Sequence, residues 1–92
     1  MGLALAVQQV RDPSSAARDA YTTCLRRYMT TSLEQRKSAD DFAAALPQQC
    51  TSEEQAFGAA IRSREATYRT PAGEIDQIIR EEVEDALSLI HI

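Results

Sequence analysis

Apolar and small side chains recur along the first half of the chain at intervals of three and four residues. From Ala17 they recur at Tyr21, Cys24 and Tyr28, and again near Leu33. This spacing puts them on one stripe of a helix, with most of the charged positions between them lying on the other side. The pattern predicts a first long helix with one buried face.

Local signals indicate where this helix begins and where it weakens. Asp12 followed by Pro13 predicts the start, since aspartate accepts amide hydrogen bonds at an N-cap and proline suits the first helical position. The run Thr-Thr-Ser at 30–32 favours a kink or break, because these side chains compete for backbone hydrogen bonds. Arg36 and Lys37 suit the C-terminal end of a helix.

A second, short helix is predicted to begin at Ser38. The serine can cap it, with Asp41 in the third helical position of an arrangement like a capping box. Phe42 and Leu46 lie on its apolar side. Pro47 limits the helix, because the residue before a proline is disfavoured in helical geometry.

A third helix is predicted from the capping-box pattern of Thr51 and Glu54, three residues apart. Its apolar stripe consists of Ala56, Phe57, Ala60 and Ile61. Gly58 has two interpretations that the sequence leaves open: close approach of a neighbouring helix, or a solvent-facing glycine with a small cost in helix propensity.

A last helix is expected from about Glu74, after the break at residues 70–73. Its apolar face contains Ile75, Ile78, Ile79, Val83 and Ala86, and its other face is acidic. An amphipathic helix of this kind can dock against a partner. We therefore predict a face for a protein partner or for self-association, made of Ile75, Ile78, Ile79 and Val83.

Composition favours one small all-α domain, a bundle or helical hairpin array of three to four helices. The chain has 92 residues, of which 43% are hydrophobic and 26% charged, with three glycines and three prolines. Its net charge of −4 argues against a nucleic-acid partner. The last 22 residues hold one basic and six acidic side chains. No apolar stretch approaches the roughly 20 residues of a membrane span.

The two cysteines, Cys24 and Cys50, are the strongest indication of the cellular compartment in which the protein acts. A disulfide between them would close a loop of about 25 residues and contribute roughly 3.5 kcal/mol in the chain-entropy model. The alternative is two buried free thiols. We favour the disulfide, which is typical of small exported domains. The pair does not form a Cys-x-x-Cys redox motif, and with only His91 in addition it cannot complete a tetrahedral zinc site.

No catalytic, cofactor-binding or metal-binding residues are predicted, and we expect the protein not to be an enzyme. The adjacent acidic pairs at 40–41, 53–54 and 81–82 point in different directions on a helix, and their positions are explained by helix N-termini or a solvated face. No phosphate-binding glycine loop is present in the sequence.

The two ends of the chain are expected to lie outside the domain at residues 11–86. Residues 1–10, MGLALAVQQV, are interpreted as the end of a truncated signal peptide, because Ala-Leu-Ala resembles a signal-peptidase site. The alternative is a frayed N-terminus. Residues 87–92, Leu-Ser-Leu-Ile-His-Ile, are the in-frame translation of a transposon end used in sequencing libraries. We interpret them as adapter-derived, which implies that the natural domain continues past Ala86.

A resemblance to a class of small exported proteins supports export from the cytosol. The segment Tyr21-x-x-Cys24-Leu25-x-x-Tyr28, followed by Leu46-Pro47-x-x-Cys50-Thr51 and an alanine-rich helix, resembles small exported helical proteins of Gram-negative bacteria over about residues 14–70. The resemblance implies a periplasmic location and supplies no activity. The incomplete signal segment is where this chain departs from that pattern.

Taken as a sequence, the chain predicts a non-enzymatic, exported helical protein with a structural or interaction role. The alternative is a cytosolic helical adaptor or regulator with reduced thiols that dimerises through its C-terminal amphipathic helix.

Overall fold

The computed structural model describes residues 12–91. Within this range the chain forms four α-helices and no strand: α1 Pro13–Glu34, α2 Ala39–Ala45, α3 Thr51–Thr67 and α4 Ala72–Ser88, with a 3-10 turn at Leu46–Gln48 between α2 and α3. The predicted all-α class with three to four helices is confirmed. The predicted signal-peptide remnant at 1–10 lies outside the described residues.

The start of α1 is the one predicted from sequence. The Asp12 carboxylate accepts a hydrogen bond from the Ser14 amide at 3.1 Å, and Pro13 is the first helical residue. The local weakening expected at residues 30–32 does not break the helix, because α1 is continuous to Glu34. Packing of its buried face outweighs a weak local preference against the helix.

The buried stripe of α1 ends on Ser32 rather than on Leu33. Ser32 is completely buried, whereas Leu33 is 52% exposed. At about 100° per residue, Ser32 lies roughly 20° around the helix axis from Tyr21, and Leu33 lies roughly 120° from it. The prediction that Leu33 faces the core was therefore wrong. Ser32, one position earlier, lies there instead.

The helix α1 ends in a Schellman motif that has arginine where glycine is usual. Arg36 has a left-handed backbone with φ 55°, the Lys37 amide donates to the Ser32 carbonyl at 2.9 Å, and the Arg36 amide donates to the Leu33 carbonyl at 3.1 Å. The helix thus ends just before Arg36 and Lys37, the two basic residues that suited its C-terminal end. The same motif ends α3, where Arg69 has φ 59°.

The short helix α2 covers one end of the bundle. Its predicted cap is confirmed, since the Ser38 hydroxyl accepts a hydrogen bond from the Asp41 amide at 3.1 Å. Phe42 is buried and stacks on Tyr28 of α1, with ring centroids 5.5 Å apart and planes inclined by 14°. The helix gives way to the 3-10 turn ahead of Pro47, as expected.

The predicted capping box of α3 is wrong. The N-cap is Cys50, which has φ 60°, and Thr51 is the first helical residue, with its hydroxyl donating to the Gln48 carbonyl at 3.4 Å. The Glu54 carboxylate accepts a hydrogen bond from Tyr21 on α1 instead. The capping-box pattern predicted that this carboxylate binds a backbone amide at the start of α3. Instead it binds a side chain of α1.

The helices α1, α3 and α4 pack on one another in all three pairings, and α3 contacts both of the others most extensively. The last helix begins at Ala72, two residues earlier than predicted. The shared core draws on α1, α2, the 3-10 turn, α3, α4 and the residues after α4; its buried members are Tyr21, Leu25, Phe42, Leu46, Phe57, Ile61, Ala86 and Ile90.

Two of the residues interpreted as adapter-derived, Leu87 and Ile90, pack against this core. Ile90 is 4% exposed and Leu87 is half-buried. Both continue the apolar stripe of α4, and an apolar segment of any origin gains by burial, because the hydrophobic effect is not directional. The origin of residues 87–92 therefore stays a prediction.

Candidate functional site

The junction between the middle of α1 and the start of α3 is the most distinctive chemical feature of the molecule. Cys24 and Cys50 form a disulfide there, with their Cα atoms 6.0 Å apart and a sequence separation of 26. Both residues are half-buried. The predicted pairing is confirmed, and the two free thiols of the alternative interpretation are not found.

A hydrogen bond joins the same two helices beside the disulfide. The Tyr21 hydroxyl donates to the Glu54 carboxylate at 3.3 Å, and the Tyr21 side chain is completely buried. Burial raises the pKa of Tyr21 to about 12, and the negative charge of Glu54 and the hydrogen bond to it act in the same direction. Sequence analysis placed Tyr21 in the core but gave no sign of this partner.

Glu53 brings a third potential metal-ligating group to the junction. One of its carboxylate oxygens and the two cysteine sulfurs all lie within 4.8 Å of one another. A disulfide lacks the thiolate that binds metals, so the oxidised cluster is not a metal site. Sequence analysis considered only His91 as a further ligand; the signal it missed is the spacing of Cys50 and Glu53, which puts both on one side of the first turn of α3.

The predicted partner face on α4 is directed largely at the protein's own core. Ile75 is buried at 5% exposure, and Ile78, Ile79 and Val83 are half-buried. The last three pack against the core cluster. Only the exposed parts of Ile78, Ile79 and Val83 are accessible to a partner. Binding of a partner at this face therefore remains a prediction.

Gly58 lies where α3 faces α4. A Cβ atom at this position would be 3.5 Å from Cγ2 of Ile79, which is ordinary van der Waals contact. Of the two interpretations left open by the sequence, the structure supports a neighbouring helix at Gly58. The approach is not so close that only glycine fits.

Arg64 connects three helices. Its guanidinium donates to Glu82 of α4 at 2.6 Å, to Glu65 at 2.9 Å and to the Ser14 hydroxyl of α1 at 3.1 Å. The hydrogen bond to Glu82 is the main reason that the pKa of Arg64 is raised, and partial burial opposes it. The donors of Arg64 are thus engaged within the protein, which makes it a structural residue.

A surface depression of about 490 Å³ adjoins this network, between the start of α1 and the end of α3. Pro13, Ala60 and Tyr68 contribute apolar walls, and Asp12 lies at its edge. Hydrogen bonds from Ser14 lower the pKa of the Asp12 carboxyl. Asp12 and Arg64 are committed to capping and ion pairing, so neither of these two charged groups of the described lining is free to hold a ligand.

Among the helices of the described segment, none combines the length and apolar character that crossing a bilayer requires. The chain matches no protein-family model, no curated protein and no solved structure.

Proposed function

We propose that the protein is a small exported, non-enzymatic helical protein with a structural or protein-interaction role. The observation that carries the proposal is the Cys24–Cys50 disulfide between α1 and α3. Disulfides form and persist in oxidising compartments such as the periplasm, and reducing systems remove them in the cytosol.

The size of the domain supports the same setting. Small domains bury a limited core and gain much of their stability from covalent ties. Here the tie joins two helices whose other contacts in the described chain are apolar packing and two hydrogen bonds, from Tyr21 to Glu54 and from Arg64 to Ser14. A chain that depends on such a tie suits a compartment that keeps it oxidised.

The interaction role is assigned to α4. Its half-buried residues Ile78, Ile79 and Val83 border an exposed acidic surface that includes Glu81 and Glu84. An apolar strip with a charged border is typical of helix-mediated docking. A protein partner or a second copy of this chain would bind there.

The compartment is tested on the natural protein. Cells are quenched in acid, free thiols are blocked with N-ethylmaleimide, and the intact mass is measured before and after reduction. We expect no adduct before reduction and two adducts after it. Two adducts in the unreduced sample would contradict the export proposal and favour the cytosolic adaptor with reduced thiols.

Self-association through α4 is tested by sedimentation velocity over a range of concentrations. We expect a dimer that is weakened in Ile78→Lys and retained in Gln77→Lys, the matched control on the exposed neighbouring position. Far-UV circular dichroism establishes that both variants fold. A wild-type protein that stays monomeric throughout would refute self-association, and equal weakening by both variants would refute the assignment to the apolar strip.

A further inference from the structure

The α1–α3 junction brings three groups of metal-ligating type together. Besides the two sulfurs of Cys24 and Cys50, it includes the Glu53 carboxylate, with one ligand atom from each residue within 4.8 Å of the other two. All three residues are half-buried. Two cysteines and a carboxylate are the donor types found around zinc in proteins.

The Glu53 carboxylate has no protein partner within the described part of the chain. Its neighbour Glu54, by contrast, accepts the Tyr21 hydrogen bond. The N-terminus of α3 favours a negative charge in its first turn, which accounts for a glutamate there. It does not account for the position of the carboxylate beside two sulfur atoms. A half-buried carboxylate left unpaired next to two sulfurs is a group that can accept a cation.

We infer that reduction of the Cys24–Cys50 disulfide converts this cluster into a metal site in which Cys24, Cys50 and Glu53 bind Zn²⁺ or a similar divalent metal. The inference concerns the reduced protein and goes beyond the proposed function, which concerns the oxidised one. It makes the junction a redox-dependent site: a covalent tie when oxidised, and a metal-mediated tie when reduced.

The chemistry balances with a thiol reductant. Two thiols of the reductant are oxidised to one disulfide, the Cys24–Cys50 bond breaks, and the two protons and two electrons appear as two cysteine thiols. Binding of the metal then releases those two protons, because thiolates are the ligands. The Glu53 carboxylate supplies the third bond, and water completes a four-coordinate set.

The geometry requires little movement of the backbone. The Cα atoms of Cys24 and Cys50 are 6.0 Å apart. Thiolates at about 2.3 Å from Zn²⁺ lie roughly 3.8 Å apart in a tetrahedron, a separation that side-chain rotation can provide. Cys50 is also the N-cap of α3, and a helix N-terminus favours the thiolate form of a cysteine.

The test uses the reduced full chain with cobalt as a spectroscopic probe. The protein is reduced with a phosphine under argon, freed of reductant and titrated with Co²⁺. We expect thiolate-to-cobalt charge-transfer bands and the visible bands of tetrahedral cobalt, saturating at one metal per chain. Zn²⁺ should displace the cobalt, and the oxidised protein should give no bands.

Variants assign the ligands. Glu53→Gln should weaken Co²⁺ and Zn²⁺ binding by at least about tenfold, and Cys24→Ser should abolish the charge-transfer bands. Glu54→Gln is the matched control, since it removes one adjacent charge; its affinity should stay within about twofold of wild type. Equal affinity of Glu53→Gln and wild type, or the absence of cobalt bands in reduced wild type, would overturn the inference.

A second measurement covers loss of structure on reduction. If the reduced chain is unfolded without metal, Zn²⁺ should restore its helical circular dichroism or raise its melting temperature, and should do so less in Glu53→Gln. A reduced chain whose folding is indifferent to Zn²⁺ would overturn the site. Neither result bears on the export proposal, which the alkylation experiment on the natural oxidised protein decides.

Discussion

The Tyr21 hydroxyl donates a hydrogen bond to the Glu54 carboxylate at 3.3 Å, beside the Cys24–Cys50 disulfide. Tyr21 precedes Cys24 by three residues on α1, and Glu54 follows Cys50 by four on α3. Since residues three and four apart share a helix face, the two ties lie on the same pair of faces. One is covalent and the other is polar and buried.

Tyr21 should make the protein less stable in alkaline solution. Its pKa is raised to about 12 in the folded state, mainly by burial, against about 10 in the unfolded chain. Between these values the folded state keeps a proton that the unfolded state has lost, so the unfolding free energy falls as pH rises. This contribution is fully present below about pH 10 and is lost by about pH 12.

The check compares wild type with Tyr21→Phe in denaturant unfolding from pH 8 to pH 12. The stability of Tyr21→Phe should decline less over this range, by on the order of 1–3 kcal/mol. Absorbance titration near 295 nm should show a late ionisation in wild type that is missing from Tyr21→Phe. Parallel pH dependences of the two proteins would contradict the assignment.

Loss of the disulfide should lower the unfolding free energy by roughly 3.5 kcal/mol, because the unfolded chain regains the entropy of an open loop. Urea unfolding of wild type with and without a reductant, in the presence of a chelator, measures it. Cys24→Ser combined with Cys50→Ser should reproduce the effect without reductant. A change below about 1 kcal/mol would show that packing and hydrogen bonds hold α1 and α3 together without the covalent tie.

Gly58→Ala should stabilise the protein by about 0.5–1 kcal/mol. Gly58 does not have a positive φ, and a Cβ atom there meets only Ile79, at 3.5 Å. Alanine therefore gains helix propensity without a clash. Gly73→Ala is the control, since nothing lies within 4 Å of a Cβ atom at that position. Gly58→Leu should instead destabilise, because its larger side chain would have to displace α4.

Ser32→Ala should stabilise the protein by about 1 kcal/mol. The Ser32 hydroxyl is fully buried and has no hydrogen-bond partner among residues 12–91. Removing an unsatisfied polar group removes its desolvation cost, and alanine is the better helix former. Thermal unfolding should show a higher melting temperature than for Ser63→Ala, an exposed serine on α3 where only propensity changes. A lower melting temperature for Ser32→Ala would show that the hydroxyl is satisfied.

Arg36→Gly and Arg69→Gly should each stabilise the protein by about 0.5–1 kcal/mol. Both arginines have positive φ at the end of a helix, a conformation that costs a residue with a Cβ atom but not glycine. Arg26→Gly, in the interior of α1, should destabilise by about 1 kcal/mol. Destabilisation by Arg36→Gly and Arg69→Gly would mean that their side chains contribute more than the backbone strain costs.

Much of the helical layout is local and was readable from sequence. Asp12 and Ser38 cap the helices predicted for them, because an N-cap needs only a side-chain oxygen and the amides that follow it. The capping box of Thr51 and Glu54 failed for the opposite reason. Glu54 had a tertiary partner in Tyr21, and no local rule reveals a residue 33 positions away.

The disulfide of the candidate site could be predicted from the sequence, but the groups around it could not. The pairing of Cys24 with Cys50 followed from their being the only two cysteines in a small helical chain. The proximity of Glu53 to both sulfurs and the engagement of Arg64 by Glu82 and Ser14 did not follow, because each depends on how two helices face each other.

The amino-acid order by itself determined an all-α chain, its helices and most of the residues that form their apolar stripes, because helix period and end signals act within a few residues. Tertiary structure alone decided that the isoleucine face of α4 covers the protein's own core and that Glu53 lies beside the disulfide. These outcomes depend on the packing of whole helices, where burial of the shared core outweighs the preferences of single residues.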